Sequence, residues 1–266
     1  MSTYLHGHQS SVLRAHRVRT AANSAGYLTP HLRPGQRLLD VGCGPATITV
    51  DLARLVAPGE VTAVDGSPAA ADLARDEARS AGVDLTVVVA QADALPFDDD
   101  SFDVVHAHQL LQHVTDPVAV LAEMRRVTRP GGLVAVRDAD YAAMTWHPAS
   151  HGLDEWRTLY HEVACSTGGE PDAGRHLRSW ALAAGFGADD LTCTASAWCY
   201  STAEEREWWS QSWSERVTSS SFARHAKQNG LADDVALESL AEAWREWGSA
   251  ADGWFAVLNS EVIGRV

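Results

Sequence analysis

The chain has 266 residues and a formal net charge of −14 at pH 7, and 45% of its residues are hydrophobic. This length is sufficient to bury the core of one large α/β domain. The acidic charge argues against a nucleic-acid partner, because proteins that bind phosphate backbones concentrate Lys and Arg on one face. The single lysine, Lys227, excludes a P-loop lysine and a Schiff-base lysine in the core.

Cysteine and histidine spacing favours neither a disulfide framework nor a metal site. The four cysteines lack C-x-x-C spacing, so we expect reduced thiols, and His147 and His151 have no third ligand nearby. No stretch approaches the roughly 18 apolar residues of a membrane span, and the first residues lack the apolar segment of a signal peptide. The sequence therefore predicts a cytoplasmic protein without a bound metal.

The first half of the chain alternates between helical and strand-like patterns. A helix is predicted over 10–28, strands over 38–41, 60–65, 85–90, 102–106 and 133–137, and further helices over 47–56, 68–81 and 117–128. Strands separated by helices of this length imply parallel pairing with right-handed crossovers. The ligand crevice should then lie at the carboxyl ends of the strands.

The second half differs in composition, because all ten tryptophans lie at or beyond Trp146. Helices are predicted over 153–167, 173–184, 203–217 and 233–247, and a strand over 191–200. Periodicity allows either a strand or a helix over 254–263. No linker divides the chain, so these helices are interpreted as inserts and a cap on one domain.

A glycine-containing turn follows the first strand. Gly42 and Gly44 can adopt positive φ and let a ligand approach the backbone, while the N-terminus of the next helix offers unpaired N–H groups. Asp65 ends the second strand 23 residues beyond Gly42, which fits the acid that binds a ribose hydroxyl in nucleotide sites. A merely structural turn remains the alternative at this point.

Five segments between Leu38 and Asp138, namely LLDVGCGPATIT, VDGSP, ADALPF, FDVVHAHQLLQHV and RVTRPGG, resemble the class I S-adenosylmethionine-dependent methyltransferases. Within that family the resemblance is to the ubiquinone and menaquinone biosynthesis methyltransferases. Ala46 replaces the third glycine of the common DxGxGxG pattern.

The resemblance implies an α/β fold with a Rossmann-like, mostly parallel sheet of seven strands in the order 3-2-1-4-5-7-6, flanked by helices. The seventh strand would be 254–263, and extra C-terminal helices would cap the site. One domain is expected, with an N-terminal segment over 1–35, a cofactor-binding core over 36–140, and cap helices and last strands over 141–266.

The implied cofactor is S-adenosyl-L-methionine, with S-adenosyl-L-homocysteine as product. Asp65 would bind both ribose hydroxyls, Asp93 the adenine amine, and Gln109 would line the methionine end; capping or turn roles are the alternatives for the two acids. The predicted cofactor residues are Asp40, Gly42, Gly44, Thr47, Asp65, Gly66, Ala92, Asp93, Ala94, His108 and Gln109.

Methyl transfer requires alignment of the acceptor, and a base helps if the nucleophile is a hydroxyl or an acidic carbon. His113 is the first candidate base and His108 the second, with packing as the alternative role. The tryptophans suggest an aromatic pocket, although most of them should be core residues. The predicted substrate residues are Tyr4, His16, Arg19, Asp138, Tyr141 and Trp146.

The predicted function is methyl transfer from S-adenosylmethionine to a small apolar or aromatic acceptor. A non-catalytic ligand-binding protein on the same fold is the alternative. A nicotinamide-dependent oxidoreductase fits less well, because the third glycine of G-x-G-x-x-G is missing and no tyrosine has a lysine four residues later. The tryptophan-rich helices also offer a face for a homodimer.

Overall fold

A computed structural model of the chain describes residues 19–266. Its strands are β1 (Leu38–Val41), β2 (Val61–Asp65), β3 (Thr86–Val89), β4 (Phe102–His108), β5 (Thr128–Ala139), β6 (Thr145–His147), β7 (Leu191–Tyr200) and β8 (Trp254–Arg265). Its α-helices are α1 (Ala21–Ser24), α2 (Thr47–Val56), α3 (Pro68–Ala81), α4 (Pro117–Val127), α5 (His151–Ser166), α6 (Ala173–Ala183), α7 (Ala203–Ser219), α8 (Ser221–Gln228) and α9 (Asp234–Ser249).

One sheet organises these elements. The strands β3, β2, β1, β4 and β5 pair in parallel in that order, and β8 runs antiparallel between β5 and β7. The predicted order is therefore confirmed, with β8 as the seventh predicted strand and β7 as the sixth. The short β6 was not predicted; it pairs with the first residues of β8, beyond the segment that pairs with β5.

Local signals explain why most helix boundaries were predictable. At α3, for example, the Ser67 hydroxyl accepts the N–H of Ala70, Pro68 occupies the first turn, and Gly82 ends the helix with a φ of 65°. At α4, the Asp116 carboxylate likewise accepts the N–H of Ala119, and Pro117 occupies the first turn. The unpredicted α8 follows α7 directly, because Ser220 both ends one helix and caps the next.

The predicted helix over 10–28 is wrong at its C-terminal end. Thr20 and Asn23 form a capping box that starts α1 at Ala21, but the helix ends at Ser24 and a turn leads to the 3₁₀ segment Thr29–His31. Gly26 in that stretch disfavours continuation of the helix. Residues 10–18 lie outside the described part of the chain.

Three apolar clusters hold the fold together. One lies between the sheet and α4 and α6, and a second lies on the opposite face beneath α1 and α2. The third is aromatic and joins α5, α7, α8 and α9 to β8. In it the Trp156 ring contacts Trp213 and Trp244 edge-on, at centroid distances of 4.5 and 4.8 Å. This cluster fixes α7 beside the carboxyl ends of the parallel strands.

The aromatic cluster also accounts for most of the tryptophans. Five of the ten are buried in it and three more, Trp146, Trp198 and Trp208, pack against it half-buried, whereas Trp254 is the most exposed of the ten, at 40%. The expectation that most tryptophans are core residues is thus met within this chain, and a homodimer face remains a prediction. Over residues 19–266, no helix has both the length and the apolar character that a membrane crossing requires.

Candidate active site

A cavity of about 1080 Å³ opens at the carboxyl ends of the parallel strands, where the sequence places the crevice. One end is lined by the residues that follow β1, β2 and β4. The other end is lined by residues of β7 and α7 together with the segment after β5. The structure therefore brings together two groups of residues that lie far apart in sequence. We call them the cofactor end and the acceptor end.

The glycine-containing turn after β1 forms the floor of the cofactor end. Gly42 and Gly44 have φ angles of +73° and 53°, and a Cβ atom on Gly42 would lie 2.9 Å from Leu110 Cδ1. Ala46, which replaces the third glycine, still adopts a φ of 61° at the N-cap of α2. The turn thus keeps a left-handed backbone that favours glycine, and it leaves room for a ligand against the main chain.

Asp40 lies in β1, two residues before Gly42, and its contacts fix the start of this turn. Its buried carboxylate accepts a hydrogen bond from Thr49 Oγ1 at 2.5 Å and another from His106 Nδ1 at 2.8 Å. These contacts join β1 to α2 and β4. Asp40 and Thr47, which were both predicted to bind the cofactor, line the cavity.

Asp65, at the end of β2, faces the same end of the cavity. One carboxylate oxygen accepts the N–H of Gly44 and the other the N–H of Ser67, both at 2.9 Å. Each oxygen has a further lone pair, which leaves the half-buried carboxylate able to bind a vicinal diol. A Cβ on the neighbouring Gly66 would lie 3.3 Å from Gln91 Nε2, so this wall is also close-fitting.

The segment after β3 completes the cofactor end. Ala92 and Asp93 line the cavity, as predicted. Ala94 is not among the described lining residues, and its N–H donates to the Gln91 carbonyl at 3.3 Å. This N–H is thus used within the loop, and a contact between Ala94 and the cofactor stays a prediction.

Gln109 lies just after β4 with a φ of 50°, which is unusual for a residue other than glycine. Its side-chain oxygen accepts from Arg19 Nη2 at 2.8 Å, and its amide nitrogen donates to Asn259 Oδ1 at 3.3 Å. Gln109 and the buried His108 both line the cavity between its two ends. Strain of this kind persists where surrounding contacts hold it, and it is frequent at functional sites.

His113 ends the short turn Leu111–His113 and lines the cavity. Burial, together with the smaller effect of the positive charge of Arg19, lowers the pKa of His113 to about 3. The imidazole is therefore neutral at physiological pH and able to accept a proton or a hydrogen bond.

Asp138 holds the turn that carries His113. Its carboxylate is fully buried and accepts the N–H groups of Leu111 and Gln112, at 3.4 and 3.1 Å. Burial raises the pKa of Asp138 to about 7, although both backbone hydrogen bonds oppose the shift. Asp138 is not among the described lining residues, so the structure places this predicted substrate residue behind the turn.

Of the other predicted substrate residues, some line the cavity and some do not. Tyr141 lines the acceptor end, and its ring stacks on Tyr160 at a centroid distance of 4.0 Å. Arg19 lines the cavity as well, whereas Trp146 stacks on Phe255 away from the described lining. Tyr4 and His16 lie outside the described residues.

Sequence reasoning missed most of the acceptor end. β7 and α7 contribute Trp198, Tyr200, Trp208, Trp209 and Arg216 to its lining. The Trp198 ring lies between two guanidinium groups, 5.4 Å from Arg19 and 4.6 Å from Arg137, and its indole N–H donates to the Asn23 carbonyl at 2.8 Å. Tryptophan enrichment predicted an aromatic pocket, but no local pattern distinguishes these residues from the buried tryptophans.

Comparison with known proteins agrees with this geometry. Residues 39–136 match the model of a family described as a methyltransferase domain. An uncharacterized methyltransferase of Schizosaccharomyces pombe is 33% identical over 98% of this chain and 95% of its own length. A ubiquinone/menaquinone biosynthesis C-methyltransferase of Burkholderia orbicola is 35% identical over 47% of this chain and 50% of its own.

Among solved structures, a phosphoethanolamine N-methyltransferase of Haemonchus contortus has the same fold. It superposes with a TM-score of 0.53 at 21% identity, covering 88% of this chain and 49% of that chain, and it was solved with phosphomonomethylethanolamine and S-adenosylhomocysteine. The glycine cradle and the acid after β2 fit the nucleoside and amino-acid parts of this cofactor. The chain therefore belongs to the class I S-adenosylmethionine-dependent methyltransferases, as its sequence motifs predict.

Proposed function

We propose that this methyltransferase acts on a small metabolite with an aromatic or flat apolar surface. The observation that carries the proposal is the continuity of one cavity from the glycine turn to an aromatic wall formed by Tyr141, Tyr200, Trp208 and Trp209. At about 1080 Å³ it is larger than most pockets for a single drug-sized ligand, which span roughly 300 to 1,000 Å³. A cofactor and an acceptor can share it.

The aromatic wall is suited to hold a flat acceptor in a fixed orientation. Tyr200 stacks on Trp209 at a centroid distance of 4.3 Å, and Tyr141 stacks on Tyr160. These contacts hold the rings of Tyr200 and Tyr141 in place. S-adenosylmethionine, when bound, supplies an electrophilic methyl group. The chain contributes alignment of the nucleophile along the displacement axis and exclusion of water, which are the main requirements of such a transfer.

We assign the role of proton acceptor to His113. Its neutral imidazole lines the cavity and is held in place through the turn that Asp138 fixes. The same burial that keeps His113 neutral also makes it a weak base. This favours an acceptor whose departing proton is acidic, and His108 is the second candidate at the same end of β4.

Two measurements in sequence test the proposal. Calorimetry of the purified protein with S-adenosylhomocysteine, using NAD and NADP as parallel titrants, is expected to show binding of S-adenosylhomocysteine alone. Labelled-methyl transfer is then measured with phenols, indoles and hydroquinones, and with aliphatic amines and alcohols of matched size. Labelled product is expected from aromatic acceptors. Turnover of the aliphatic set alone would overturn the acceptor class, and cofactor binding without any turnover would favour the non-catalytic alternative.

A further inference from the structure

A buried positive charge lies in the acceptor end of the cavity. Arg216, on α7, is 5% exposed, and its guanidinium lies 5.0 Å from the centre of the Trp213 ring. Arg216 also lines the cavity, and its positive charge acts to lower the pKa of Tyr141 and Tyr200, which line the same end. A guanidinium is planar and remains charged even when buried, and it offers paired N–H donors in a fixed geometry.

A second guanidinium reaches the same space from another side. Arg19 lines the cavity from the N-terminal segment and lies over Trp198. Burial raises the pKa of Tyr200, and the positive charges of Arg19 and Arg216 both act against that rise. The same two charges act on Tyr141 in the same direction. The two tyrosines of the aromatic wall thus lie within the field of both arginines.

Glu205 opposes this field at Tyr200, where its negative charge raises the pKa, but by less than Arg19, Arg216 and Arg137 each lower it. Glu204 is exposed in the first turn of α7, and Glu205 accepts the N–H groups of Ser201 and Thr202 at 3.0 and 2.9 Å, as a helix cap. His113 is neutral. The remaining lining carboxylates belong to the cofactor end and the start of α4: Asp40, Asp65, Asp93 and Asp116.

We propose that Arg216 binds an anionic group of the acceptor, so that the acceptor is an aromatic or apolar molecule that carries a carboxylate or a similar oxyanion. Planar oxyanions accept two parallel hydrogen bonds from one guanidinium, which gives orientation as well as affinity. The net charge of −14 repels anions from the protein as a whole. A local cation inside the cavity is therefore the feature that selects such a ligand.

The proposal rests on the proposed methyl transfer, because the bound anion is taken to be the methyl acceptor. Binding itself can be measured without turnover. With S-adenosylhomocysteine saturating, we would titrate 4-hydroxybenzoate, its neutral counterpart 4-hydroxybenzamide, and phenyl phosphate, and repeat the comparison with indole-3-acetate and indole-3-acetamide. Calorimetry reports the binding of each probe. The phosphate and carboxylate probes distinguish the two kinds of oxyanion.

We expect at least one anionic probe to bind wild-type protein about tenfold more tightly than its neutral counterpart, as a hydrogen-bonded charge pair provides. The variant Arg216→Gln should lose this preference, and Arg216→Lys should keep part of it. The matched control is Arg125→Gln, because the Arg125 guanidinium lies 5.8 Å from the centre of the Phe186 ring and neither residue is among the described lining residues. It should keep the full preference.

Affinity for S-adenosylhomocysteine shows whether each variant is folded. If Arg216→Gln is not folded, the anion preference of the wild type is compared with that of Arg216→Lys instead. Equal binding of anionic and neutral probes by the wild type, no binding of any probe at millimolar concentration, or an unchanged preference in Arg216→Gln would each overturn the proposal. Anion-selective binding without methyl transfer would instead count against the proposed function, and methylation of neutral aromatics without anion preference would count against this inference alone.

Discussion

The substitution Gly42→Ala tests whether the turn after β1 is a cofactor cradle or only a tight turn. Gly42 has a φ of +73°, and an added Cβ would lie 2.9 Å from Leu110 Cδ1, in the cavity wall. Gly82 offers a matched control at the C-terminal end of α3. It has a φ of +65°, and no heavy atom of the described residues lies within 4 Å of an added Cβ.

Both substitutions force a left-handed backbone on alanine, at a cost of about 1 to 2 kcal/mol in the free energy of unfolding. For a protein of this size, each kcal/mol corresponds to roughly 2 to 4 °C in Tm. We therefore expect both variants to lose about 2 to 8 °C. The Leu110 side chain can move away from the new methyl group, so Gly42→Ala should still fold.

Only Gly42→Ala should weaken cofactor binding. Either the new methyl group or the displaced Leu110 side chain enters the space above the turn, and a loss of affinity of at least about tenfold, or about 1.4 kcal/mol, is expected. Thermal unfolding and calorimetry with S-adenosylhomocysteine measure the two effects separately. If Gly42→Ala binds S-adenosylhomocysteine as tightly as Gly82→Ala does, the cradle interpretation is refuted.

Three further predictions concern acids and a base of the site. Asp65→Ala should weaken S-adenosylhomocysteine binding, because hydrogen bonds to a charged group contribute about 1.5 to 3 kcal/mol each; unchanged affinity by calorimetry would contradict the ribose assignment. His113→Ala should slow labelled-methyl transfer with near-normal cofactor affinity, and a wild-type rate would remove it as the base. For Asp138, a pKa raised from 3.8 to about 7 means that its contribution to stability is present below its ordinary pKa and is lost as the pH rises through about 7, by about 4 kcal/mol. About 3 kcal/mol of this loss falls between about pH 5 and about pH 8, and Asp138→Asn should lack it when unfolding by denaturant is compared at these two pH values; an identical pH dependence in both proteins would count against it.

The cofactor end was predictable because its signals are local. A glycine at a positive φ and an acid at the end of a strand are determined by the few residues around them, as at Gly42 and Asp65. Parallel pairing then brings such strand ends to one edge of the sheet without further information. Ala94 shows the limit of this reasoning, because its N–H direction depends on how the loop closes on Gln91.

The acceptor end was not predictable because it depends on tertiary packing. Asp138 follows the predicted fifth strand and was therefore expected to contact a ligand, yet it lies within β5 and accepts the N–H groups of Leu111 and Gln112. Arg216 lies in a helix whose tryptophans are mostly core, and only the tertiary structure reveals that it lines the cavity. Neither the hydrogen bonding of Asp138 nor the position of Arg216 can be inferred from periodicity or spacing.

The strand β8 connects the two ends physically. Asn259 accepts a hydrogen bond from Gln109 at the cofactor end, and four residues earlier Phe255 packs into the aromatic cluster that carries α7. Since β8 is paired on both sides over most of its length, a shift in α7 cannot occur without straining the strand or breaking its pairing. We therefore expect replacements of Arg216 or Trp208 to change acceptor preference alone, and replacements within β8 to disturb cofactor and acceptor binding together.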